Sequence, residues 1–402
     1  MEHCVEITEC IACGSTDLVP LLDLGIQPLA NSFLKSPTDQ EDKFPLATNR
    51  CEKCYHVQLT HKVNPDLLFK NYLYVSGTAK TQLEYFDWFA NFVMENHKAE
   101  RVLDIGCNDG SQLNAFKKLG AVTFGVDPAE NLYEISSKNH SVHCGYFDDT
   151  YPRIGCGAVL CQNAFAHNYD QLEFLKNMSN VVSDDGYIYI TTSQADMILK
   201  GEFDTIYHEH LSFYNIKSMN ELCKRAGVNL VDVIKHPIHG TSYIFVISKS
   251  KSRPSYIKLL IDEEESYGLY ERKTYDLYET ECTDLISDFA LRIESIKKDT
   301  TVIGYGAPAK GNTLLNASGV TLDFIIDDNP LKQGLYSPGM HIRIHSSEKL
   351  KEYADKDVVF VPLAWNFFDE IKEKIKKIRP NNNDTFVRYF PYVFLERSAS
   401  NE

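Results

Sequence analysis

Residues 99–132, AERVLDIGCNDGSQLNAFKKLGAVTFGVDPAENL, constrain the fold more than any other stretch of the chain. They read as a short apolar strand from Arg101 to Ile105, a glycine turn from Gly106 to Gly110, an amphipathic helix, and a second strand from Val122 to Val126 that ends in Asp127. Strand, turn and helix in that order build a doubly wound α/β sheet. The pattern restarts near Asp299, where TTVIGYGAPAKGNTLLNAS gives strand, glycine loop and helix again, and LDFIIDDNP gives a second strand ending in Asp327 and Asp328. Between the two, residues 250–298 carry apolar positions at helical spacing, which predicts a long helix or helix pair, with the acid run Asp262 to Glu265 as a solvated face.

With 402 residues, of which 43% are apolar, the chain has material for two or three domains. A formal charge of −15 leaves no basic face for a polyphosphate backbone, so nucleic acid is not an expected partner. No stretch approaches the roughly 18 apolar residues of a membrane span, and MEHCVEITEC has no basic segment followed by an apolar run, so the expected location is the cytoplasm. The eleven cysteines are clustered, which fits reduced thiols and a metal site better than a disulfide framework. Cys10 and Cys13 in CIAC, with Cys51 and Cys54 in CEKC, form two CxxC pairs, each able to present two thiolates to a tetrahedral ion. Four soft ligands favour Zn²⁺ in a structural role, since no position stays open for a substrate. Free thiols are the plain alternative. The insert between the pairs is expected to make its own strands and pack on the knuckle, with Cys4 a spare.

The glycine turn alone does not separate a dinucleotide site from an S-adenosylmethionine site. DIGCNDG begins with Asp104 inside the strand and lacks GxGxxG spacing, and it is similar to motif I of class I S-adenosylmethionine-dependent methyltransferases. That resemblance implies cofactor contacts from Asp104, Gly106, Asn108 and Gly110, a ribose contact from Asp127, adenine contacts from GYFDD (Phe147), and a loop after the fourth strand in VLCQNAFAHNYD that carries Asn163 and His167. In the second unit Gly304, Gly306 and Gly311, with acids about twenty residues on, approximate a dinucleotide fingerprint and keep an NAD-dependent oxidoreductase as an alternative. Lys310 and the helix start behind it could instead hold the diphosphate of an activated substrate, with Asn312 and Asp327 in the same loop system.

FDTIYHEHLSFY, Phe203 to Tyr214, places a tyrosine, two histidines and a glutamate within four positions. Metal binding by His208 and His210 is one reading, but HExxH is absent and no third ligand stands nearby; ordinary packing is another. In an extended segment Tyr207 and Glu209 face one way and His208 and His210 the other, unless a tight turn brings His210 back.

Taken in order, the CxxC pairs, LDIGCNDGS, YHEHLSFY and GYGAPAKGNTLLN with DDNPLKQGLYSPG resemble the nucleotide-sugar C-methyltransferases, over nearly the whole chain. The resemblance implies a zinc-binding domain over residues 1–75, a class I Rossmann-like methyltransferase domain over 76–249, a helical connector over 250–298, and a second Rossmann-like domain for the sugar nucleotide over 299–402. It implies S-adenosylmethionine and zinc as cofactors, a nucleotide-linked ketosugar as substrate, a monomer or weak homo-oligomer, and catalytic use of Tyr207, Glu209 and His210. The chain departs from the family at HGTSYIF, where Ile244 takes an arginine's place, at Asp328, where a basic residue is usual, and at Leu335. These positions are expected to face the sugar nucleotide.

Methylating carbon requires removing a proton beside a carbonyl and holding the resulting enolate. The expectation is His210 as base, Glu209 setting its tautomer or binding a sugar hydroxyl, and Tyr207 donating to the enolate oxygen. His167 is a second polar partner, Tyr72 or Tyr74 of NYLYVSGTA reaches over the pocket as part of a lid, with packing the alternative role for at least one of them, and His239 joins the substrate contacts. His208 is expected to tolerate change. A zinc-bearing binding protein without catalysis is the remaining alternative.

Overall fold

The structure, a computed structural model, describes residues 3–69, 75–78, 80–238 and 242–397. Tyr72, Tyr74 and His239 therefore lie outside the described residues. The chain groups into two compact units, residues 1–20, 48–196 and 209–271 in one and residues 21–47, 197–208 and 272–402 in the other.

Five strands open the chain, β1 (Cys4–Glu6), β2 (Leu18–Pro28), β3 (Lys43–Cys51), β4 (Val57–Leu59) and β5 (His61–Val63), followed by the short helix α1 (Pro65–Phe69). In the first unit β1 pairs antiparallel with β5, and Thr48 to Arg50 of β3 pair with β4. The insert between the CxxC pairs does form strands. Its residues 21–47 group with the second unit. An 11-residue strand outruns two cysteine turns, and its buried Leu21, Leu22 and Leu24 need a larger apolar partner.

The first unit is built on α2 (Lys80–His97), β6 (Arg101–Ile105), α3 (Ser111–Lys118), β7 (Val122–Asp127), α4 (Glu130–Ser136), β8 (Ser141–Cys144), β9 (Cys156–Gln162), α5 (Gln171–Val181) and β10 (Val182–Thr192). After α6 (Met197–Lys200), which belongs to the other unit, come β11 (Ser212–Phe213), α7 (Ile216–Ala226), β12 (Asn229–His236), β13 (Ser242–Ser248) and α8 (Pro254–Ser266). Seven strands make one sheet in the order β12-β13-β10-β9-β6-β7-β8, in which β6 to β10 run parallel and β13 antiparallel to both its neighbours. Val159, Leu160 and Cys161 of β9 are fully buried in succession, as expected of a strand covered on both faces. The chain leaves β6 toward β7 and β8, then returns to the other side as β9. That reversal opens a crevice at the carboxyl ends of β6, β7 and β9.

The second unit carries α9 (Arg272–Ile296), β14 (Val302–Tyr305), α10 (Ala309–Ser318), β15 (Phe324–Ile326), β16 (Ile344–His345), β17 (Val359–Pro362), α11 (Phe368–Ile378), β18 (Thr385–Arg388) and β19 (Phe394–Arg397). Its sheet, β16-β15-β14-β17-β18-β19, is parallel except for the edge strand β19.

Two expectations change. The acid run is not all solvated, because Glu264 is buried and accepts the backbone amide of Ile216 at 2.8 Å, where the open amides at the start of α7 favour a carboxylate. Ile244 does not face a ligand; it lies fully buried in β13, paired with Ile234 and Thr191, since an apolar residue on a central strand goes into the core. Among the described residues no helix is long and apolar enough to cross a membrane.

Candidate active site

The crevice at the sheet reversal is a cleft of about 300 Å³, with Asp104, Gly106, Asn108, Asp127, Phe147 and Asn163 in its wall. The backbone of the turn accounts for its shape. Gly106 has φ +79° and donates to the carbonyl of Val126 at 2.8 Å, and a Cβ at this position would stand 2.7 Å from Cβ of Ala164. Asn108 also takes a left-handed conformation, φ +51°, which asparagine tolerates. Its amide donates to Oδ2 of Asp127 at 2.8 Å, and its Oδ1 accepts from the amide of Ser76 at 2.9 Å. Gly110, φ +80°, starts α3 behind the turn and is not part of the cleft wall.

Several buried polar atoms in the wall have no hydrogen-bond partner: Asp104 Oδ1, Gln82 Oε1, Gln112 Oε1, Gln162 Nε2 and His167 Nε2. Unpaired polar atoms inside a protein are costly, and their convergence on one cleft marks a polar ligand. Burial, helped by the nearby charge of Asp127, pushes the Asp104 carboxyl up to about 8. A ligand carrying positive charge would restore its ionised form. The glycine turn, the acid ending β7, the Phe147 ring and the orphaned acceptors together fit S-adenosylmethionine. The three glutamines had no motif to announce them; Gln162 alone stood beside a residue already singled out, Asn163.

At the cleft, His167 is stacked between Phe69, with centroids 5.4 Å apart and planes 10° apart, and His210, at 5.3 Å and 25°. Burial lowers His167 to about 4, so it is a neutral imidazole at neutral pH. His210 Nδ1 lies 2.9 Å from Oγ of Ser193. The segment that leads to His210 is a run of turns rather than an extended strand, so side chains do not simply alternate. Glu209 is buried and falls with His210 in the first unit.

Tyr207 and His208 belong to the second unit. His208 is buried, with Nε2 3.3 Å from the carbonyl of Phe44, and burial lowers it to about 4. The same unit repeats the first unit's turn. Gly306, φ +83°, donates to Ile326 O at 2.7 Å, and the amide of Ala307 donates to Oδ2 of Asp327 at 2.7 Å. Lys310 lies over the Trp365 ring, whose Nε1 donates to the buried Asp204 at 2.7 Å. Asn312 is buried and donates to the carbonyl of Ala30 at 2.8 Å. Asp328 is exposed and pairs with Lys374 at 2.6 Å.

Apart from the cleft, the ligand atoms of Cys10, Cys13, Cys51 and Cys54 all lie within 4.8 Å of one another, with Cys10 to Cys54 and Cys13 to Cys51 at 3.6 Å. Tetrahedral Zn–S bonds of about 2.3 Å place sulfurs about 3.8 Å apart, so the cluster fits zinc. Asn215 ties it to the sheet domain: its side chain donates to the carbonyls of Cys54 and Tyr55 at 3.2 and 2.7 Å and accepts from Ser218 N as the cap of α7.

Comparison with known proteins finds three family matches along the chain. Residues 10–69 match the profile of a zinc binding domain, 78–233 that of a methyltransferase domain, and 237–391 that of the C-methyltransferase C-terminal domain. The C-methyltransferase NovU of Streptomyces niveus is 30% identical over 396 residues, spanning 93% of this chain and 94% of NovU. A ubiquinone biosynthesis O-methyltransferase of Coxiella burnetii is 23% identical over 177 residues, 39% of this chain and 74% of its own. Among solved structures, the 1,6-didemethyltoxoflavin-N1-methyltransferase of Burkholderia thailandensis aligns with a TM-score of 0.35 at 14% identity, over 42% of this chain and 78% of its own.

Proposed function

The chain belongs to the C-methyltransferase family of NovU, and on that premise we propose that its acceptor is a nucleotide-linked 4-keto-deoxysugar, methylated at carbon 3. The enzyme is an S-adenosylmethionine-dependent C-methyltransferase with a class I Rossmann-like domain and a structural zinc on Cys10, Cys13, Cys51 and Cys54. Four thiolates fill the coordination of that ion, so its contribution is to hold the knuckle together.

S-adenosylmethionine, when bound, supplies an electrophilic methyl group. The protein's task is to make carbon nucleophilic and to keep water out while it is so. His210 Nε2 removes the proton beside the ketone, and Tyr207 donates to the oxygen that gains charge. Glu209 binds a sugar hydroxyl or sets the imidazole. His167, neutral because it is buried, is suited to donate a hydrogen bond rather than carry charge at the reacting centre. Lys310 holds the diphosphate, and Asn312 and Asp327 complete the substrate contacts. The enzyme works in the cytoplasm as a monomer or weak homo-oligomer.

The observation that carries this reading is the stacked His167–His210 pair beside the orphaned polar wall of the cleft. The repeated glycine turn of the second unit supports a second nucleotide-like ligand. The test is a panel of 4-keto-6-deoxy sugar nucleotides incubated with labelled methyl donor and read by mass spectrometry. Mass gain on a ketosugar nucleotide is expected. Turnover of none, or reduction with NADH in place of methylation, would reject the substrate assignment.

A further inference from the structure

Ser193 is the first residue past β10, at the carboxyl end of a central parallel strand, where no motif drew attention to it. Its Oγ lies 2.9 Å from Nδ1 of His210. Both residues are held from behind. The carbonyl of Ser193 accepts from the amide of Tyr214 at 3.1 Å, and the amide of Ala195 donates to Tyr214 O at 3.0 Å. Next to His210, the amide of Leu211 donates to Ala166 O at 2.9 Å. The imidazole itself has His167 stacked on it and the ring of Phe213 nearly perpendicular to it, with centroids 6.2 Å apart. Rotation of the ring by half a turn would put a carbon where Nδ1 meets the serine and lose the hydrogen bond.

We infer that Ser193 is a positioning residue for the proton transfer, holding His210 in the tautomer that keeps its lone pair on Nε2. The inference rests on the reading of His210 as the base. A histidine that takes a proton at Nε2 starts with its own proton on Nδ1, and that N–H needs an acceptor. The serine oxygen is that acceptor. Once Nε2 has taken the substrate proton, the ring is an imidazolium and the Nδ1–H to Oγ bond becomes charge-assisted and stronger. The bond therefore strengthens as the reaction proceeds, which is the condition for lowering a barrier. Without the serine, a neutral imidazole favours the Nε2–H tautomer, with the proton on the nitrogen that must receive one.

The experiment measures solvent deuterium exchange at the carbon beside the ketone of a dTDP-linked 4-keto-6-deoxyhexose, without methyl donor, together with ¹⁵N shifts of His210. In Ser193→Ala the exchange kcat is expected to fall about 10- to 100-fold with KM changed by less than about 2-fold, and Ser193→Thr to recover most of the rate. The wild-type spectrum should show a protonated Nδ1 and a pyridine-type Nε2, replaced in Ser193→Ala by the other tautomer or a mixture. Wild-type exchange in Ser193→Ala, or a wild-type imidazole protonated at Nε2, would overturn the inference. The wild-type spectrum decides even if the alanine variant does not fold. His210→Asn exchanging at the wild-type rate, while the wild-type spectrum shows the Nδ1–H tautomer, would remove the base itself and the role of Ser193 with it.

Discussion

The backbone amide of Asn108 donates to Oδ2 of Asp127 at 2.8 Å, so the glycine turn after β6 is braced by the acid that ends β7. The other oxygen, Oδ1, accepts from the amide of Ala129 at 2.8 Å. One carboxylate thus shapes two loops of the cleft while each oxygen retains a second lone pair for a ribose hydroxyl. Asp127→Ala is expected to weaken S-adenosylhomocysteine binding by about 100-fold, measured by calorimetry, because it removes ribose contact and turn geometry together. Binding within about 3-fold of wild type would separate Asp127 from the ligand.

The pH dependence of cofactor binding follows from Asp104. Its carboxyl is held up to about 8, so at pH 7 the ligand-free cleft is largely protonated there. A cationic ligand binds the ionised form, and its affinity should therefore rise with pH by at most about tenfold per unit below 8 and level off above it. Asp104→Asn should bind more weakly and lose that slope. Stability of the ligand-free protein responds in the opposite sense. Between the ordinary carboxylate value of 3.8 and about 8 the folded protein keeps a proton that the unfolded chain releases, so ionisation costs stability as pH rises through that window. Thermal melts of Asp104→Asn should decline less across it than those of wild type.

Gly106→Ala combines a left-handed φ with a Cβ only 2.7 Å from that of Ala164. The expected cost is about 1–3 kcal/mol of strain and loss of most cofactor affinity. Urea unfolding and calorimetry read the two effects separately; an alanine enzyme of unchanged stability would show that the turn has room to relax.

Removal of the metal should unfold the knuckle. Cys54→Ser leaves three thiolates, and a lowering of Tm on the order of 10 °C is expected together with loss of zinc on gel filtration. Retained zinc at one equivalent would show that the four cysteines are not the ligands.

Asn215→Ala tests how the knuckle is attached to the methyltransferase domain. It deletes the α7 cap, worth about 1–2 kcal/mol, and leaves the carbonyls of Cys54 and Tyr55 without their donor. Lower urea stability and faster zinc release to a chelator should appear together. Faster release without lost stability would place the residue's effect on the metal alone.

Local pattern made much of this protein legible before its structure. The strand from Arg101 to Ile105, the turn after it and the acid ending the next strand follow from periodicity and glycine placement, which act over a few residues. The paired cysteines are equally local within each CxxC, and the approach of the four thiols follows from the ion they suit. Position in three dimensions decided the rest. Gln82, Gln112 and Gln162 are ordinary polar residues in sequence and become cleft walls only where α2, α3 and β9 converge. Glu264 looked like one more acid on a helix until the start of α7 was placed against it. Ile244 kept its character as a core residue on β13, although its place in the motif had suggested a ligand contact. The pairing of Ser193 with His210 joins two loops separated by α6 and the turns that follow, a meeting set by strand order and packing rather than by any spacing written along the chain.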